Sequence, residues 1–187
     1  AGNMECLISA VQNGADAVYL GGKKFGARAF ANNFDGEEMI KAIKYCHLYG
    51  VKIYVTVNTL VYDGEMKEAL EYVSFLHKNG VDALIVQDIG LIRKIRQTYP
   101  TLELHASTQC HNHSKDSVLE MKKLGVKRVV LARELSLEEI KNIDVDIEKE
   151  VFVHGALCVS YSGCCLFSSM NGGRSGNRGE CTGCCRL

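Results

Sequence analysis

Short aliphatic, β-branched runs alternate along the chain with longer stretches in which apolar positions recur every three or four residues. The runs fall at 15–20 (ADAVYL), 51–57 (VKIYVTV), 82–86 (DALIV), 102–106 (LELHA), 126–131 (VKRVVL) and 151–154 (VFVH). Each is nearly continuous in apolar character, as a strand reads when both of its faces are covered and the two-residue alternation is lost. The stretches between them read as amphipathic helices. Gly14, Gly50, Gly80 and Gly125 close four of them, at the point where a helix end favours a residue tolerant of the left-handed conformation. The unit that repeats is helix, glycine, strand. Gly80-Val81-Asp82-Ala83 echoes Gly14-Ala15-Asp16-Ala17, and Gly125-Val126-Lys127 echoes Gly50-Val51-Lys52.

Six such units in series predict a parallel sheet, either doubly wound or curling toward a barrel. The barrel is preferred for two reasons. No strand is followed by G-x-G-x-x-G, since Gly21-Gly22 runs into Lys23-Lys24-Phe25-Gly26, and the even spacing offers no point of reversal. The expected fold is therefore α/β, a TIM-like parallel (β/α) barrel that is incomplete in this chain. Residues 1–155 are expected to form the partial barrel, with a Cys/Gly-rich segment over 156–187 packed on its mouth. A chain that opens at Ala1 and stops within a cysteine motif is expected to be a piece of a longer one.

Composition narrows the picture. With 187 residues and 47% hydrophobic content, the chain can bury one substantial core. Lys plus Arg and Asp plus Glu balance at 22 each, so no global field draws the protein to nucleic acid or a membrane, and any such contact must be local. Its uninterrupted aliphatic runs are strand-sized, far short of the roughly 20 residues that span a bilayer. Nine cysteines, an odd number, with a long hydrophobic pattern and no secretory leader, argue against a disulfide scaffold and for a reducing compartment, with cytoplasm as the expected location. No H-E-x-x-H, G-x-S-x-G or Walker loop occurs.

In a barrel of this kind chemistry gathers where the strands end. The residues there are Gly21-Gly22 with Arg28 in the following loop, Asn58, Gln87-Asp88, Ser107-Thr108-Gln109, Arg133-Glu134 and His154. Amides, hydroxyls and a guanidinium at one mouth suit a flat polar ligand such as a nucleobase. The same residue types also cap helices and satisfy loop backbones. Arg28, Gln109 and His154 are taken as the catalytic candidates. His111-Asn112-His113 reads more readily as surface or capping residues than as a metal pair.

Six of the nine cysteines lie after residue 157; Cys6, Cys46 and Cys110 are scattered and read as small buried hydrophobes. Six residues separate Cys158 from Cys165, fifteen separate Cys165 from Cys181, and three separate Cys181 from Cys185, with Cys164 and Cys184 beside two of these. Soft thiolates select zinc, copper or iron–sulfur clusters. A closed zinc site usually shows paired C-x2-C knuckles, and only Cys181 and Cys184 make one, so a cluster is favoured over zinc. The Gly/Ser-rich loop over 168–179 carries Arg174 and Arg178, with Arg186 beyond it, as local positive charge for an anionic cofactor or ligand.

Glu150-Val151-Phe152, Gly155-Ala156-Leu157-Cys158, Gly163-Cys164-Cys165, Ser168, Asn177-Arg178-Gly179-Glu180-Cys181 and Cys185-Arg186 closely resemble the signature of the U32 peptidase family, also called collagenase-like. Ala1-Gly2-Asn3 and Gly21-Gly22 through Ala27-Arg28-Ala29 are similar to that family's opening segment, so the resemblance covers essentially the whole chain. It implies a TIM-like barrel and, in several members, an oxygen-labile [4Fe–4S] cluster. It also implies one of two activities: peptide hydrolysis, or hydroxylation of a tRNA uridine, a ribosomal cytidine or the ubiquinone ring, with prephenate implicated as oxygen source in some RNA cases. A partner subunit of the same family is a further expectation. Cys158, Cys165 and Cys181 match the ligand positions; the fourth is Cys185 or a cysteine downstream of Leu187. Cys164 departs from the family pattern where a polar residue such as Gln is usual, Cys184 where Pro is common, and Phe167 where an aliphatic is usual. Zinc is the alternative metal. A non-catalytic metal-binding module is the remaining alternative.

Overall fold

The computed structural model describes residues 1–155 and 157–186, and of Arg186 the backbone alone. Its frame is one six-stranded sheet whose strands stand in chain order and pair in parallel throughout. They are β1 (Ala17–Gly21), β2 (Lys52–Val57), β3 (Ala83–Val86), β4 (Glu103–Ala106), β5 (Arg128–Val130) and β6 (Glu148–Glu150). Sequential order without reversal is the topology of a barrel wall rather than of a doubly wound sheet. The helices α1 (Met4–Gln12), α2 (Gly36–Leu48), α3 (Met66–Lys78), α4 (Ile89–Thr98), α5 (Lys115–Lys123) and α6 (Leu137–Asn142) lie between the strands, and a short α7 (Phe167–Gly172) follows them.

The two faces of this curled half-barrel differ in chemistry. Side chains alternate along a strand, so Ile53, Val55 and Val57 of β2, Leu84 and Val86 of β3, and Leu104 and Ala106 of β4 share one face, in a single core with Leu7, Ile43, Leu76 and Ile92 of the helices. The opposite face carries a small separate cluster of Tyr54, Ala83 and Ile85. Beside it stands a polar group: His105 Nε2 lies 2.8 Å from Glu103, and Arg128 pairs with Glu148 at 2.8 Å and Glu150 at 3.2 Å. The Arg128 guanidinium sits 5.3 Å above the Tyr54 ring.

The sequence repeat appears as structure. At the end of α2 the Gly50 N–H donates to His47 O at 3.0 Å and the Val51 N–H to Cys46 O at 2.9 Å, a Schellman closure with Gly50 at φ 70°. Gly14, Gly80 and Gly125 also take positive φ. Asp35, Asp88, Ser114 and Ser136 cap the starts of α2, α4, α5 and α6 with their side chains.

One strand differs from expectation. The sixth apolar run, 151–154, is not a strand; the pairing residues are Glu148–Glu150, just before it. The cause is register. Arg128, Val129 and Val130 pair with Glu148, Lys149 and Glu150, and the ladder ends with the Leu131 N–H donating to Glu150 O at 2.9 Å. Beyond that point Val151, Phe152 and Val153 are exposed. Cys46 and Cys110 are at least partly buried, as expected of small hydrophobes, whereas Cys6 is exposed. No helix among the described residues is long and apolar enough to cross a membrane.

Candidate functional site

The ends of the strands open into a cavity of about 1090 Å³. Its floor comes from the polar face of the sheet, with Thr56, Ile85, Val130 and Glu150, and its walls include Arg28, Asn58, Ser107, Gln109 and Arg133 from the strand-end loops. The chain after β6 crosses this mouth. His154 and all six C-terminal cysteines, 158, 164, 165, 181, 184 and 185, line the same cavity. All six of these cysteines are free thiols.

Several strand-end polar groups are consumed in building the mouth. Asn58 accepts from the Ala27 N–H at 3.0 Å and donates to Ser107 Oγ at 3.2 Å, while Ser107 Oγ also accepts from the Gln109 N–H at 3.2 Å. Gln87 donates through Nε2 to Gln109 O at 3.3 Å. Asp88 caps α4 through the Leu91 N–H at 2.8 Å and accepts from the Val61 N–H at 3.3 Å. For these four residues the structural role is the one observed. Arg28, Gln109 and His154 place their side chains on the cavity with no side-chain hydrogen bond or ion pair among the described residues.

The cysteine-bearing segment is fixed in two separate halves. Residues 160–163 lie against the turn after β4. Buried Ser162 accepts from Arg133 Nε at 3.1 Å and Thr108 Oγ1 at 3.3 Å, and its own N–H donates to Glu134 at 3.1 Å. Gly163, at φ 76°, passes so close that a Cβ there would stand 2.3 Å from Gln109 O. The second half is held elsewhere. Gly179 O accepts from the Ala29 N–H at 3.0 Å, and a Cβ on Gly179 would lie 2.5 Å from Gly26 O. Buried Ser168 of α7 accepts from the Thr182 N–H at 3.1 Å and reaches the Cys181 and Cys184 sulfurs at 3.9 Å each. Hydrogen bonding from Thr182, and next from Ser168, holds the Cys184 thiol below its ordinary pKa.

The basic residues of the Gly/Ser-rich loop have occupations of their own. Arg178 makes a two-pronged pair with Glu65 at 2.5 and 3.1 Å, donates to Leu60 O at 2.8 Å and lies 4.6 Å over the Tyr62 ring. Arg174 stands 5.7 Å over the ring of Phe30. Neither is among the residues lining the main cavity. The Arg186 side chain, and Ala156 of the cysteine motif, lie outside the described residues.

His111 and His113 pack edge to face with ring centroids 4.1 Å apart, both against Tyr161. Cys164 Sγ lies 3.4 Å from His111 Nδ1. His113 Nε2 is 3.3 Å from Glu134, near enough for an ion pair but not aligned as a hydrogen bond. The imidazole beside a thiol is thus His111 with Cys164, a pairing across 53 residues that no local spacing announces. Ser162 and Glu65 were equally hidden in the sequence, because each works through a distant partner, while Glu134, a strand-end candidate, is occupied by the Ser162 N–H.

Residues 2–187 match the model of Peptidase family U32. The chain is 45% identical over 180 residues to the 23S rRNA 5-hydroxycytidine C2501 synthase of Escherichia coli (strain K12), covering 95% of this chain and 27% of that protein. It is 42% identical over 188 residues to the tRNA hydroxylation protein P1 of Bacillus subtilis (strain 168), covering 100% of this chain and 44% of that one. The chain therefore spans between a quarter and a half of these relatives. Among solved structures it resembles a U32 peptidase with a TM-score of 0.66 at 16% identity, over 80% of this chain and 64% of that one, a likeness of fold. With the strand order, the cysteine-lined mouth and a family match over nearly its whole length, this chain belongs to peptidase family U32.

Proposed function

We propose that this chain is the cluster-bearing part of an iron–sulfur enzyme that hydroxylates an RNA base, in tRNA or rRNA, or a related ring substrate. The observation that carries the reading is a single cavity lined both by six free thiols and by unpaired polar side chains at the strand ends. The names of the RNA-hydroxylating relatives support the substrate class.

The donor set suits a cluster. The thiols are spread around a volume, and a polynuclear cluster takes its thiolates from around its faces. Cys158, Cys165 and Cys181 would hold it, with Cys185 the fourth ligand inside this chain; zinc is the competing occupant of the same thiols. A bound cluster would supply one-electron transfer beside the ligand cavity. Arg28 would hold an anionic group, either a phosphate of the RNA or the carboxylate of a ring co-substrate such as prephenate. The Gln109 amide would read the edge of a flat ring, and His154 would exchange a proton at the mouth. A partner subunit of the same family would join it in the working enzyme.

The test is iron, sulfide and zinc content with EPR on anaerobically prepared protein, alongside nucleoside mass spectrometry of RNA from cells with and without the gene. About four iron and four sulfide per chain, and a hydroxylated pyrimidine that disappears with the gene, are the expected results. Cys158→Ala and Cys165→Ala should lose the iron while Cys6→Ala keeps it; equal iron in all three overturns the ligand assignment.

The Cys164–His111 contact supports a second reading, a thiol peptidase of the collagenase-like kind. Gelatin or peptide hydrolysis abolished by Cys164→Ala, with the RNA unchanged, would favour it.

A further inference from the structure

Arg178 lies three residues before Cys181, and its guanidinium is turned away from the thiol cavity and spent on one loop. Both carboxylate oxygens of Glu65 receive it, at 2.5 and 3.1 Å, together with Leu60 O at 2.8 Å and the face of Tyr62 at 4.6 Å. A guanidinium received on two edges and one face is fixed in orientation as well as in position. Glu65 is fixed in turn, since its carboxylate also accepts from the Tyr62 N–H at 3.0 Å. Hydrogen bonding from Arg178 is the main reason the Glu65 carboxyl is held below the usual carboxylate range. The 176–179 turn is trapped from the other side by Gly26 and Ala29, where no side chain fits at Gly179. Residues 160–163, between the first cysteines, have a separate support, because Ser162 is held by the loops after β4 and β5.

We infer that Glu65, in the loop after β2, is a positioning residue that sets Cys181 and Cys184 in the cavity by clamping Arg178, while Cys158 and Cys165 are set independently. The inference rests on the proposed cluster only in treating Cys181 as a ligand. The loop over 60–65 and the second cysteine pair therefore move as one body, which links the shape of one wall of the mouth to the placement of its thiols.

The test uses Glu65→Gln, which keeps side-chain size and removes the charge, with Arg178→Lys as a second variant and Glu68→Gln as control. Glu68 sits close by in α3 and pairs with Lys24 instead. Hydrogen exchange on the metal-free protein reads the clamp directly. In Glu65→Gln the amides over 175–182 are expected to exchange about tenfold faster, equivalent to about 1.4 kcal/mol of local opening. Those over 158–165 are expected to keep their rates. Arg178→Lys is expected to give a smaller change in the same peptides, and Glu68→Gln none. After anaerobic reconstitution, Glu65→Gln is expected to lose iron and show an altered EPR signal. Unchanged exchange over 175–182, or equal acceleration over 158–165, overturns the inference. If the exchange pattern holds and the wild type takes up no iron, the cluster reading falls and the clamp stands.

Discussion

Replacing Gly163 by Ala separates the demand for a left-handed backbone from the demand for space. Gly163 sits at φ 76°, and an added Cβ would stand 2.3 Å from Gln109 O, with the carbonyl carbon at 3.1 Å and Cα at 3.2 Å. The left-handed conformation alone costs an alanine about 1–2 kcal/mol. The contact is more than an ångström short of ordinary van der Waals separation, and the obstacle is backbone, so the 160–163 strip must lift from the turn. Lifting it breaks the three bonds that bury Ser162, to Arg133, Thr108 and Glu134, each worth about 1 kcal/mol or more where a charge takes part. The total is about 4–5 kcal/mol. At about 2–4 °C per kcal/mol for a chain of this size, a fall in Tm on the order of 10 °C follows if the strip melts with the rest. If it opens alone, Tm holds and Cys165, half-shielded in the wild type, is alkylated much faster. Gly14→Ala is the control, with φ 85° and nothing within 4 Å of the new Cβ, and it should cost only the backbone term, about 2–8 °C. If Gly163→Ala matches Gly14→Ala in both Tm and Cys165 labelling, the close packing of the cysteine segment on the β4 turn is refuted.

Other outcomes follow from groups deeper in the fold. Burial is the main cause that lowers the His105 pKa, with Glu103 opposing it and Arg128, Glu150 and the Tyr54 ring also facing it. Below about pH 6.5 the unfolded chain therefore takes up a proton that the folded chain refuses, and stability falls as pH drops. Chemical denaturation between pH 7 and 5 should show this slope, up to about 1.4 kcal/mol per pH unit, and His105→Phe should flatten it. Burial pushes the Cys46 thiol up to about 11 and that of Cys110 up to about 12, so a thiol reagent at pH 8 should reach Cys6 promptly and these two only after unfolding. Asp88→Ala removes both the α4 cap and the anchor of Val61; a loss of about 1–2 kcal/mol in urea titration is expected, and a neutral result would mean that neither bond contributes.

How much of this was legible in the residues depends on the range of the interaction that fixes each feature. Five strands and the helices between them were readable because burial on both faces imposes a continuous apolar run, and because the end of a helix such as α2 needs Gly50 at a positive φ. The shared chemistry of the cysteines was readable too, since thiolates gathered in one segment carry their ligand preference wherever they sit. The sixth strand was misplaced because a strand is defined by its partner. Glu148 and Glu150 match the register of β5 and meet Arg128, while the more apolar Val151–Val153 run has no ladder to join.

The residues by themselves determined the βα repeat, the barrel class and the concentration of thiols at one end, all of which rest on local patterning. Tertiary structure alone decided what each polar side chain at the mouth is for. Arg178 reads as a cation beside the cysteines, yet Glu65, 113 residues away, claims it. Asn58 and Ser107 read as ligand groups, yet they satisfy each other across 49 residues, while Arg28 and Gln109 keep their side chains for the cavity. A charge or an amide does not encode its partner. Only the closing of the sheet brings the candidates within hydrogen-bonding reach, and the cost of leaving a buried polar group unpaired then selects among them.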